Sequence, residues 1–171
     1  DKLGMNPYSG RMRAMLIFAF FPLLALLAQP LGHTSYWFPV IIIGIAGAAH
    51  QAWSANLFST IGDMFPKSAI ATVTGIGGMA GGIGAFIINK GSGALFDFAS
   101  GTTMVDGQSS VMTKELLAAG AQYLTGPMKF FGFEGIRAGY FIVFCICAVA
   151  YLIGWIVMKM LVPKYKPIVI E

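Results

Sequence analysis

The greatest chemical capacity of this chain lies in one uncharged run, Gly47-Ala48-Ala49-His50-Gln51-Ala52-Trp53-Ser54-Ala55-Asn56-Leu57-Phe58. Its imidazole, carboxamides and hydroxyl can donate and accept hydrogen bonds. At about 100° per residue of helix, His50, Gln51 and Ser54 fall within about 100° of arc, and Phe58 shares that arc one to two turns on. A donor–acceptor face bordered by aromatic rings suits a hydroxylated or carboxylated solute. The other use of such groups is hydrogen bonding to neighbouring helices. Asn56, on a different face near Thr60 and Asp63, reads as structural in that sense.

Little else in the chain could do chemistry. No Asp or Glu lies in the central part of any apolar run, and no nucleophile–His–carboxylate set or metal-ligand cluster is spelled out. His33 falls in a short loop. Cys145 and Cys147 point about 200° apart on a helix, so they neither bridge readily nor share a metal, and they read as buried small apolar residues. The expectation is a protein that is not an enzyme, with no catalytic residue, metal or cofactor.

A second unusual run is glycine-rich: Gly75, Gly77, Gly78, Gly81, Gly82 and Gly84. On a helix Gly75, Gly78 and Gly82 make one smooth face, and Gly77, Gly81 and Gly84 make the opposite one. Small-residue faces let helices approach closely, and glycine lowers the cost of bending. The run fits a helix that slides and flexes between two conformations, or a static, tightly packed one. It is not a nucleotide-binding loop, because no strand precedes it and no Lys-Ser/Thr follows. Between the two runs, Asp63-Met64-Phe65-Pro66-Lys67 makes a charged turn. There Asp63 can cap the next helix, with Pro66 near its start, or form a gating salt bridge.

The elements that must position these residues are membrane helices. Hydrophobic residues make up 57% of the chain and charged residues 11%, against about 25% charged in a soluble domain. Four runs reach the roughly 20 apolar residues of a crossing: 13–30, 36–61, 68–89 and 138–161. The predicted class is therefore an all-α integral membrane protein with four transmembrane helices. Residues 1–12 form a loop and 162–171 a tail. The segment 90–137 is a Gly-, Ser- and Thr-rich loop with one candidate helix at Val111–Leu124. The net charge of +4 does not indicate nucleic acid, because the cations flank apolar runs and form no basic patch with interleaved aromatics. Their distribution puts both ends and the Asp63 turn on the cytoplasmic side, and 90–137 outside.

The run from Gly47 to Gly84, with His50-Gln51-Ala52-Trp53-Ser54-Ala55-Asn56, Asp63-Met64-Phe65-Pro66-Lys67 and Gly75-Ile76-Gly77-Gly78-Met79-Ala80-Gly81, resembles the hexuronate-type transporters. These belong to the anion:cation symporter branch of the major facilitator superfamily. Asp1-Lys2-Leu3-Gly4 followed by Arg11-Met12-Arg13 is similar to that superfamily's loop between helices eight and nine. The resemblance implies a C-terminal fragment, helices nine to twelve of a twelve-helix fold, whose N-terminal half is missing. The absence of a start Met, a basic leader and a cleavage site at Asp1 agrees with that expectation. The resemblance further implies proton-coupled uptake of sugar acids by alternating access across a bacterial inner membrane, with the solute near the midplane. His50, Gln51 and Ser54 are then the positions expected to reach the anion. The competing expectation is a self-contained four-helix scaffold or assembly subunit without transport activity. Segment 90–137 is longer than the family suggests, and the resemblance implies nothing about it.

Overall fold

In the computed structural model, which describes residues 6–166, four helices are long and apolar enough to cross a membrane: Pro7–Gly32, Trp37–Met64, Lys67–Ser100 and Ile136–Leu161. At about 1.5 Å of rise per residue each exceeds the roughly 30 Å of a bilayer's hydrocarbon core. Helix is the economical solution there, because every backbone N–H finds a carbonyl within its own segment. Large apolar side chains such as Ile41, Ile76, Met79, Ile83 and Phe86 stand exposed along these helices. The stretch Asp1–Gly4 with its Lys2, and residues 167–171 of the tail, lie outside the described residues.

Prolines shape the first crossing. Helix α1 (Pro7–Phe20) starts ahead of the expected Arg13, because Asn6 accepts a hydrogen bond from the Tyr8 amide at 3.1 Å and Pro7 takes the first helical position. From Phe21 to Leu27 the chain tightens into a 3₁₀ helix, and it relaxes again in α2 (Ala28–Gly32). The tightened stretch holds Pro22 near its start, and Pro30 follows in α2; each lacks the N–H an α-helix would use. Helix α3 (Trp37–Met64) stops where Phe65 turns extended, at φ −104° and ψ 148°. Pro66 imposes that, since the residue before a proline is driven out of the helical region.

The described residues divide into two compact units, 6–81 with 145–166, and 82–144, and the division falls inside the third and fourth crossing helices. In the first unit Tyr8, Met12, Met15 and Ala19 are buried along one stripe of α1, spaced as one helix face requires. Helix α1, the 3₁₀ stretch and α2 all pack along α3. Three contacts tie in the C-terminal part: Trp155 Nε1 donates to the Met12 carbonyl at 2.9 Å, the Tyr8 hydroxyl donates to the Val162 carbonyl, and the Lys159 ammonium lies 5.7 Å over the Tyr8 ring.

The second unit changes the expected loop. Helix α4 (Lys67–Ser100) does not stop near Asn89 but continues through Lys90 and Asp97. No proline interrupts it, and it ends only at Gly101, whose φ is +79°. A Cβ at Gly101 would sit 2.5 Å from the Thr125 carbonyl oxygen, so the turn requires glycine. Next come β1 (Thr102–Val105) and β2 (Gln108–Val111), an antiparallel hairpin pairing Thr102 with Val111 and Val105 with Gln108. Its two-residue turn is Asp106-Gly107, with φ of 51° and 80°, the signature that drives such hairpins.

The expected helix over Val111–Leu124 is only α5 (Lys114–Ala118). Val111 is held in β2, and Gly120 at φ +85° breaks the far end. Thr113 caps α5 by accepting from the Leu116 amide at 3.3 Å. Glu115, in the first turn, has its carboxyl held below the usual range by its own backbone N–H and the Thr113 hydroxyl. A second hairpin, β3 (Lys129–Phe130) and β4 (Phe133–Glu134), turns at Phe131-Gly132. It leads into α6 (Ile136–Leu161). The start of α6 approaches the end of α4 closely, since a Cβ at Gly139 would lie 2.9 Å from the Phe96 ring.

Candidate functional site

Helix α3 presents His50 where α6 presents Tyr151. The Tyr151 hydroxyl is 2.5 Å from His50 Nδ1, and the two rings meet edge to face with centroids 5.8 Å apart. Trp53, one turn along α3, packs edge-on against the same phenol at 5.6 Å. Gly154 on α6 leaves room for that indole, whose ring lies 3.8 Å from the place a Cβ would occupy. His50 itself stays exposed, while Tyr151 and Trp53 are half-buried. Trp53 Nε1 is buried without a hydrogen-bond partner among the described residues, a state that costs about 1–3 kcal/mol for a buried donor.

Of the other residues expected on this face, Gln51 is exposed and Ser54 half-buried, and their side chains form no hydrogen bond with a described residue. They share an arc with His50 but join neither Tyr151 nor Trp53. Asn56 is occupied within its own helix: Nδ2 donates to the Ala52 carbonyl at 2.8 Å, and the Thr60 hydroxyl donates to the Asn56 carbonyl at 2.8 Å. Cys145 is half-buried and free; Cys147 is also free but exposed, not buried as expected.

Asp63 does not cap α4. It lies in the last turn of α3, where its carboxylate accepts from Arg11 Nε at 2.5 Å. The Tyr165 hydroxyl donates to the Asp63 carbonyl at 3.2 Å. A carboxylate at a helix C-terminus is repelled by the helix dipole, and Arg11 supplies the opposing charge. Gly75, Gly78 and Gly82 are placed on α4 with open space: a Cβ at any of the three would meet nothing within 4 Å. The described residues do not make the close packing those faces allow.

Sequence reasoning missed Tyr151, Trp53 and Arg11 as site members. Tyr151 carried a usable signal, since a hydroxyl in the middle of an apolar run calls for a partner. No protein-family model matches the chain, and no curated protein or solved structure matches it.

Proposed function

We propose that the chain is part of a secondary transporter of the major facilitator type, one that takes up hexuronates or related sugar acids together with protons by alternating access. In this reading it is not an enzyme, and it works in a bacterial inner membrane with both ends cytoplasmic and the rest of the transporter as its partner. The observation that carries the reading is the His50–Tyr151 hydrogen bond between two membrane-length helices. A polar pair inside a bilayer is costly, and such pairs mark solute or proton paths by default. With the phenol donating to Nδ1, the neutral imidazole keeps its proton on Nε2 and offers it as a donor. Exposed Gln51 and half-buried Ser54 extend that polar surface along α3. The Gly75, Gly78 and Gly82 face gives a neighbouring helix a smooth track, and the Arg11–Asp63 pair is the gate that opens as the helices move.

The test is His50→Ala in the full-length protein, with proton-driven hexuronate uptake and protein abundance measured together. Loss of a hydrogen bond to a charged solute lowers uptake about tenfold or more, at unchanged abundance. Uptake equal to the parent protein would remove His50 from the path.

A further inference from the structure

The segment linking α4 to α6 forms an open, solvent-facing cavity of about 690 Å³, within the roughly 300–1,000 Å³ of small-molecule sites. Lys114, Glu134 and Arg137 are its charged lining. Glu134 is 3.6 Å from Lys129, which offsets its charge. Lys114 and Arg137 therefore leave the cavity positive. Arg137 stands in the first turn of α6, a turn without an acidic residue, and its guanidinium makes no ion pair or hydrogen bond with a described residue. Glu115, the neighbouring acid on α5, is engaged by its own amide and Thr113 and does not line the cavity. Tyr123 and Leu117 give one wall a ring and an alkyl surface.

We propose that this cavity binds a small organic carboxylate, its carboxylate on Arg137 and Lys114 and its body against Tyr123 and Leu117. The planar guanidinium matches a carboxylate with two parallel N–H donors, and the ammonium adds a point charge. Nothing in the assignment uses His50, so it stands apart from the transport reading.

Glucuronate is the probe, titrated by calorimetry into the intact protein held in phosphatidylcholine nanodiscs. The titration is done in the His50→Ala background so that the α3 face does not contribute. Saturable binding is expected, weakening as salt rises. Lys114→Gln and Arg137→Gln, added singly, should each lower affinity about tenfold, while Arg137→Lys retains part of it. Equal thermal melting of the variants shows that folding is intact, and Lys114→Gln alters only an exposed side chain. Two results overturn the assignment: affinity unchanged in both charge variants, or glucose binding as well as glucuronate.

Discussion

A phenol within hydrogen-bond distance of an imidazole nitrogen restrains the ring, and in this chain that phenol is Tyr151. Tyr151→Phe keeps the ring that packs on Trp53 and removes only the hydroxyl, which makes it the cleaner partner of His50→Ala. In the proposed transporter it acts as a positioning residue. Freed of the hydroxyl, His50 rotates, so uptake at low solute concentration should fall about tenfold, with abundance unchanged, and Tyr151→His should restore part of it. Uptake equal to the parent's would show that the contact serves packing alone. The polar residues on α3 were legible one by one, because each is expensive in a bilayer. Their pairing was not, since His50 and Tyr151 are 101 positions apart. Asp63 shows the same limit: its charge and neighbouring proline suggested a cap, whereas the contact it makes is with Arg11, 52 positions away.

Among the elements, α4 is the least explained by its own chain. Glycine in a helix interior costs about 1 kcal/mol relative to alanine, and this helix carries six between Gly75 and Gly84 with open space around each. A Cβ at Gly78 would meet nothing within 4 Å, and Gly78→Leu should improve helix propensity. If the intact protein nevertheless loses uptake with normal abundance, a helix from elsewhere packs on that face. Normal uptake would show that the face is not an interface. The 3₁₀ stretch was half legible, since Pro22 stood in the sequence but the tighter winding from Phe21 to Leu27 did not. The first hairpin was fully legible. Asp106-Gly107 between Thr- and Val-containing runs is a strong local hairpin signal. The Phe131-Gly132 turn is another matter, because a bulky residue at φ +50° is not one that sequence reasoning would place there.

At the scale of the whole molecule the open question is which way the helices face. In the proposed transporter the Asp63 turn faces the cytoplasm and the 90–137 segment the outside, as the flanking Lys and Arg residues suggest. After Cys145 and Cys147 are replaced by Ala, Ser109→Cys on β2 should react with a membrane-impermeant maleimide in intact cells. Ser68→Cys at the start of α4 should react only after lysis. The opposite pattern would invert the molecule and put the Lys114–Arg137 cavity on the cytoplasmic side. What the sequence determined by itself was the number of membrane-length helices and the residues too polar to be idle within them. Those follow from hydrophobicity along the chain, a local property that needs no partner to be read. Only the tertiary structure decided that His50 meets Tyr151, that Arg11 meets Asp63 and that α4 runs on to Gly101. Each depends on contacts between distant residues, such as the Thr125 carbonyl pressed against Gly101, whose geometry no local pattern encodes. The polar run of α3 holds most of that helix's hydrogen-bonding groups, and its imidazole meets a phenol that only α6 supplies.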